Sequence, residues 1–198
     1  MAEHLPRCFY RRDPVTVART LLGQKLVHIV HGQRIGGIIV ETEAYLGIAD
    51  KAAHSYGGRR SPRNATMWCD GGYCYVYFTY GMHHCANVVA GRPGEPVAVL
   101  LRALEPVEGI DSMQTLRGRR QDLCAGPARL CQALAVDRAL DGIDLVTSDH
   151  LFIERQRRQV YPSSKIVAAA RVGVDYAGTW ARQPLRFYLV GNPHVSRR

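Results

Sequence analysis

Two carboxylates stand two residues apart in the segment GGIIVETEAY, Glu41 and Glu43, with Tyr45 next in the same alternation. On an extended strand such residues share a face. Carboxylates so paired could divide the work of general acid and general base, or one of them could be structural, hydrogen-bonded to an arginine or to backbone amides. Downstream, HSYGGRRSPRNATM carries His54, Arg59, Arg60 and Arg63, and YCYVYFTYGMHHCANVV adds a run of tyrosines, two histidines and Asn87. Tyr45, Tyr73, Tyr75, Tyr77 and Tyr80 are half of the chain's 10 tyrosines. Most strand tyrosines merely pack, yet aromatic rings beside arginines are also what stacking on a nucleobase needs.

Rival chemistries have weaker support. His54, His83, His84 and Cys85, with Glu43, offer ligand types for zinc, but there is no HxxxH, no HxE with a downstream CxxC and no Asp-x-Asp. Adjacent His83 and His84 on a strand point to opposite faces. No serine lies in GxSxG, and no lysine lies in the central strands to form a Schiff base; Lys51 falls in a loop. Neither a metal nor another cofactor is expected.

The balance of charge points to a polyanion. Formal net charge is +9, and nearly all the cations are arginine, the lysines being Lys25, Lys51 and Lys165. Arginine meets phosphate with a planar two-pronged geometry, so nucleic acid is the leading partner class; a basic soluble protein with no such partner is the plainer alternative. With 198 residues the chain suits one domain, 1–198, large enough for a sizeable core. No apolar run is long enough to span a bilayer, and MAEHLPRCFYRRDP has no apolar segment of the signal-peptide kind. An intracellular protein with no membrane partner is the expectation. The 6 cysteines form no CxxC pair and fit reduced thiols that mostly fill core space.

The elements that must position these groups follow from local pattern. Asp13-Pro14 opens a helix over VTVARTLLG, with Gly23 at its end. QKLVHIVHGQRIGGIIVETEAY predicts two strands turning near His31-Gly32, the second delivering Glu41–Tyr45. Residues 46–70 show no periodicity, and a loop that long is often functional. Its arginines suit phosphate contacts; a solvated surface loop is the bland alternative. Tyr73 to Tyr80 alternates as a strand, and Gly81 breaks it, so Tyr80-Gly81-Met82 should project two large side chains from a hairpin end. Cys85–Ala90 and VAVLLRAL read as strands, the second interrupted by Arg102, which needs a partner or a task. Glu105–Leu116 and the segment from Gly126-Pro127 through ARLCQALAV read as helices, and IVAAARVGV as helix or strand. His150–Glu154 and PLRFYLVGNP complete the strands. The fold class is α+β: a single domain with a curved, mostly antiparallel sheet, partly open and barrel-like, flanked by helices.

At ETEAY, HSYGGRRSPRN, YVYFTYGM and CANVV, then LLRALEP, LCAGPARLCQAL and AAARVGV with WARQPLRFYLVGNPHVS, the chain resembles the alkyladenine (3-methyladenine) DNA glycosylase family. The extreme N-terminus and 140–165 lie outside these motifs. The resemblance implies a monofunctional hydrolase of base excision repair. Its partner would be double-stranded DNA containing damaged purines, and it would act as a monomer. The location implied is the cytoplasm of a bacterium, on the nucleoid, or the nucleus of a eukaryote. By the same resemblance Glu43 is the general base, and Arg102 helps hold the attacking water. Tyr45 stacks on one side of the flipped base, with Tyr77 and His54 on the other. Asn87 lies against the purine's minor-groove edge, and backbone amides around Ala52–His54 read the opposite edge. Tyr80 fills the vacated space, with Met82 as a wedge beside it. Glu41 is then structural. His83-His84 and Ala86 depart from the family's usual bulky residues and put pocket packing in question. A related surface without turnover, a nucleic-acid-binding module, is the alternative.

Overall fold

The structure, a computed structural model, describes residues 3–197. In chain order the elements are α1 (Arg7–Tyr10), α2 (Pro14–Leu21), β1 (Lys25–Val30), β2 (Gln33–Tyr45), β3 (Cys74–Thr79), β4 (His83–Ala90), β5 (Val97–Glu108), α3 (Ile110–Arg117), α4 (Pro127–Ala133), β6 (Leu151–Glu154), β7 (Ile166–Ala169) and β8 (Arg186–Leu189). The capping logic holds at α2: the Asp13 side chain accepts from the Thr16 amide, and Pro14 fills the first turn. The β1–β2 turn uses two left-handed residues, His31 at φ 50 and Gly32 at φ 77, the backbone twist that a tight hairpin requires.

The eight strands form one antiparallel sheet in the order β3-β4-β5-β2-β1-β6, with β8 pairing β2 and β7 pairing β8. Strand β2 is the hub. Along one edge it follows β5; along the other it pairs first with β1 (residues 33–38) and then with β8 (41–43). Shifts of register against β5 fall on either side of Glu41. Such irregularities bend a strand and raise its twist, which curls the sheet.

Alternation assigns the two faces different work. Val40, Ala44, Cys74, Val76, Ala86, Val88, Val99, Leu101 and Ala103 belong to one buried apolar cluster shared with Val17, Ala18 and Leu21 of α2 and Leu130, Cys131 and Ala133 of α4. The residues between them, including Glu41, Glu43, Tyr45, Tyr75, Tyr77, Asn87 and Arg102, occupy the opposite face. Four of the six cysteines (Cys74, Cys85, Cys124 and Cys131) are buried, and all six are free thiols.

The structure corrects one expected element. Residues Glu105–Glu108 are strand, not the start of a helix. Gly109, left-handed at φ 69, turns the chain, and α3 begins at Ile110. Gly109 is also close-packed, since a Cβ there would sit 2.6 Å from the Arg34 carbonyl oxygen. The ambiguous IVAAARVGV supplies strand β7. The loop of residues 46–70 is stiffened by three single-turn 3-10 segments, Gly47–Ala49, Tyr56–Gly58 and Ala65–Trp68.

Gly36 and Gly37 let β2 lie against both neighbours. A Cβ on Gly37 would sit 2.7 Å from the Glu105 carbonyl oxygen and 2.9 Å from Leu104 Cβ, and one on Gly36 2.8 Å from the Leu26 carbonyl oxygen. Backbone atoms in a sheet cannot yield as a flexible side chain can. Gly37→Ala is therefore expected to lower stability by about 1–3 kcal/mol through overpacking. Urea unfolding would read this as a lower midpoint at unchanged slope; a wild-type midpoint would show that the strands have room to part.

Candidate active site

The polar face of the sheet opens onto a cavity of about 210 Å³ lined by Tyr45, Ala52, His54, Tyr75, Tyr77, Tyr80, Asn87 and Arg102, among others. Three strands supply the floor through alternate residues: Tyr75 and Tyr77 from β3, Cys85 and Asn87 from β4, Leu100 and Arg102 from β5. The loop after β2 and the segment after β7 supply the walls. Most residues expected at a base pocket are thus brought together.

Glu43 lies one layer behind the wall. Its side chain is fully buried. Oε1 accepts the Val172 amide at 2.8 Å and faces Arg102 Nη1 at 3.3 Å; Oε2 accepts the Tyr45 hydroxyl at 2.9 Å. Burial pushes the carboxyl's pKa up, while Arg102, the Val172 amide and the Tyr45 hydroxyl pull against that rise; the net direction is upward. A raised value makes the ionised group a stronger base. Tyr45 and Tyr77, both partly buried, have their phenol pKa values pushed well up by desolvation, so they present neutral rings.

Glu41 is held differently. Its Oε1 accepts from Arg102 Nε at 3.0 Å and Arg186 Nη1 at 2.9 Å, and its Oε2 accepts the Ser196 amide at 2.8 Å. Arg102, whose position in an apolar run demanded a partner, therefore meets both carboxylates. Two carboxylates and two guanidiniums close as a neutral group beneath the cavity.

The aromatic walls are braced from outside. Arg171 lies 4.6 Å from the Tyr45 ring centre, a favourable cation–π contact. His54 meets Tyr77 edge-on, ring centres 4.5 Å apart, and its Nδ1 is hydrogen-bonded to the Tyr75 hydroxyl at 2.8 Å. Burial and the nearby Arg63 charge lower the His54 pKa, so the imidazole is neutral at pH 7. Asn87 donates through Nδ2 to the Tyr75 carbonyl at 3.0 Å, which fixes its amide orientation against the cavity.

The loop amides divide. Ala52 lines the cavity, but its N–H donates to Asp50 Oδ1 at 3.0 Å, and the Ala53 N–H donates to the Asp50 carbonyl at 2.9 Å. Of the expected run 52–54, the His54 amide alone has no protein acceptor among the described residues.

The remaining candidates lie outside the cavity or on its rim. Tyr80 is 83% exposed and Met82 70%, on the β3–β4 turn where Tyr80 and Gly81 both take positive φ. Tyr80 also lines the cavity, and Met82 does not. Arg59, Arg60 and Arg63 are exposed. Arg60 lies over Trp68, and Arg63 donates to the Phe78 carbonyl at 3.1 Å, tying the loop to β3. His83 is exposed and His84 rests on Phe78 with ring centres 5.0 Å apart, while Ala86 is buried on the helix-facing side. None of the three touches the cavity, so this departure leaves its lining unchanged. Among the described residues no group of three or more His, Cys, Asp or Glu is disposed to hold a metal ion.

Sequence reading missed four contributors. Tyr75 was visible in the alternation with Tyr77 but had no assigned task. Tyr176, 74% exposed, lines the cavity and donates to the Ala52 carbonyl at 3.4 Å. Asp50 and Arg171 form a fully buried pair, with Arg171 Nη1 2.5 Å and Nη2 2.9 Å from the two carboxylate oxygens. This pair clasps the two walls: Asp50 accepts the Leu46 and Ala52 amides, and Arg171 donates to the Ala44 carbonyl at 3.0 Å. The partners are 121 residues apart, so no local pattern could announce them. Asp50→Ala strands the Arg171 charge and is expected to cost about 3–5 kcal/mol in urea unfolding. A loss of about 1 kcal/mol or less, the scale of a surface pair, would contradict the clasp.

Comparison with known proteins supports the same reading of the chain. The Methylpurine-DNA glycosylase family profile matches residues 8–193. A putative 3-methyladenine DNA glycosylase of Bacillus cereus (strain AH187) is 47% identical over 203 residues, covering 98% of both chains. The DNA-3-methyladenine glycosylase of Homo sapiens is 46% identical over 209 residues, covering 98% of this chain and 69% of the human one. That of Mus musculus is 46% identical over 200 residues, covering 95% of this chain, which spans 60% of the mouse protein's length. With the match running through β2, the cavity walls and β8, the chain belongs to the methylpurine-DNA glycosylase family.

Proposed function

We propose that this chain is a DNA-3-methyladenine glycosylase that flips alkylated or deaminated purines out of duplex DNA and hydrolyses the N-glycosidic bond with water activated by Glu43. The observation that carries the reading is a buried carboxylate of raised proton affinity, directly behind an aromatic cavity and beside a guanidinium that reaches it. Family membership supplies the class of reaction.

The cavity, at about 210 Å³, lies below the roughly 300–1,000 Å³ of sites for drug-sized ligands. It suits a fragment such as one heterocyclic base. A base must leave the duplex to enter it, at a cost of a few kcal/mol of stacking and pairing. Exposed Tyr80 at the rim, with Met82, would occupy the gap left behind. Inside, the neutral rings of Tyr45, Tyr77 and His54 offer π faces, which favour a cationic alkylated purine. The Asn87 amide, fixed by Tyr75, lies against one edge, and the free His54 N–H can donate to the other.

In the reaction, water enters beside Arg102, the cavity-lining neighbour of Glu43. Glu43 takes one proton as the water oxygen bonds to the anomeric carbon. The carbon–nitrogen bond breaks and its electron pair leaves with the purine, which departs neutral if it was cationic and otherwise takes up a proton from solvent; the product is an abasic site. The buried carboxylate also offsets positive charge developing on the sugar. Exposed Arg59, Arg60 and Arg63 are the candidate contacts to DNA phosphates. The proposed working form is a monomer acting on damaged duplex DNA, in the cytoplasm of a bacterial source or the nucleus of a eukaryotic one.

The direct test is incubation with duplex oligonucleotides holding hypoxanthine or 1,N6-ethenoadenine, and with methylated DNA, followed by alkali to cleave abasic sites. Strand cleavage and release of 3-methyladenine, both persisting in EDTA, are expected. Lesion binding without excision would instead favour a non-catalytic binding module, and loss of turnover in EDTA a metal-dependent hydrolase. Glu43→Gln should lower the single-turnover rate by on the order of 10²–10⁴-fold while lesion affinity persists; a rate near wild type removes Glu43 from the base role. Tyr80→Ala should weaken binding to lesion duplex more than to lesion single strand, where there is no gap to fill. Equal losses on both would count against a wedge.

A further inference from the structure

We propose that Glu41 is a positioning residue that holds Arg102 away from full pairing with Glu43 and so keeps Glu43 basic enough to activate water. The inference rests on the hydrolytic reading above and adds a role for the carboxylate that reading leaves idle.

The geometry is that of two acids competing for one guanidinium. Arg102 donates Nε to Glu41 at 3.0 Å in a good hydrogen bond and offers Nη1 to Glu43 at the longer 3.3 Å. Glu41 is fixed from the far side by Arg186 Nη1 at 2.9 Å and by the Ser196 amide at 2.8 Å, so it cannot follow Arg102 toward the cavity. Arg186 Nη1 also donates to the Arg197 carbonyl at 2.8 Å, and Arg102 Nη2 donates to Ser196 Oγ at 3.3 Å. The closing residues of the described chain thus clamp the group that aims Arg102.

Without Glu41 as competitor, Arg102 could present its planar fork to Glu43 as a bidentate pair, the strongest arrangement open to it. That would hold Glu43 ionised but weaken it as a base. Other groups facing Glu43 are Tyr45 on its own strand, Tyr77 from β3, Cys85 from β4 and Arg171 from the segment after β7. Of these Arg171 alone carries charge at neutral pH, and it is committed to Asp50. Glu41's own negative charge also raises Glu43 directly, so the balance at Glu43 is set by Glu41 and Arg102 together, and Arg102 is divided between the two acids.

The test is the acid limb of the single-turnover excision rate against pH. Glu41→Gln keeps the side chain's shape and removes its charge. Arg102 then closes on Glu43, and the limb should move down by about one pH unit, with a lower plateau. Arg186→Met leaves Arg102 as the one guanidinium on Glu41, draws it away from Glu43, and should move the limb up. A purely structural Glu41 would lower thermal stability and leave the limb where it is. A folded Glu41→Gln protein whose limb is unmoved or raised overturns the proposal. If that variant shows no cooperative melt, an unmoved limb in Arg186→Met overturns it instead. A wild-type chain that excises no purine sinks the glycosylase reading itself, a distinguishable failure.

Discussion

The site depends on one electrostatic constraint, a carboxylate, Glu43, that must stay charged although its side chain is fully buried. An isolated buried charge costs several kcal/mol. Arg102, the Val172 amide and the Tyr45 hydroxyl make its ionised form tolerable without cancelling the upward pull of burial. Bringing an arginine that deep creates a second demand, met by Glu41, which in turn brings Arg186 and the Ser196 amide. The neutral four-charge group follows from needing one usable base.

The fold serves that constraint through β2, which carries both carboxylates and Tyr45 on one face while Val40, Thr42 and Ala44 face the helices. Beyond the end of its pairing with β1, β2 pairs with β8 at 41–43, which delivers Arg186 beside Glu41. The Asp50–Arg171 clasp then fixes the cavity walls against each other, and places the Val172 amide on Glu43. Packing on one face and polar organisation on the other come from the same two-residue period.

Much of this was legible in the sequence where chemistry and spacing act locally. Alternation put Glu41, Glu43 and Tyr45 on one face, and Asp13-Pro14 marked the start of α2. Arg102 announced itself by interrupting an apolar strand. The Tyr80-Gly81-Met82 turn followed from Gly81 breaking an alternating run. The assignments of roles came from resemblance to a family, since paired carboxylates alone left both acid–base work and a structural role open. What sequence could not show is set by distance along the chain: Asp50 with Arg171, Glu41 with Arg186 and Ser196, Tyr176 over Ala52. The mistaken helical start at Glu105 has a local cause, because Glu105-Pro106-Val107-Glu108 resembles a helix opening while its pairing to β2 at Gly36–Ile38 decides for strand.

The site requires Glu43 to be ionisable, buried and more basic than an ordinary carboxylate. Titration of its side-chain carbon by NMR, in protein labelled at glutamate and assigned with Glu43→Gln, measures that directly and without DNA. A midpoint above the ordinary glutamate range, in protein that remains folded throughout, is the predicted result. A midpoint at or below that range would mean that Arg102 and the surrounding donors outweigh burial, and that Glu43 is a quenched ion-pair partner rather than a poised base.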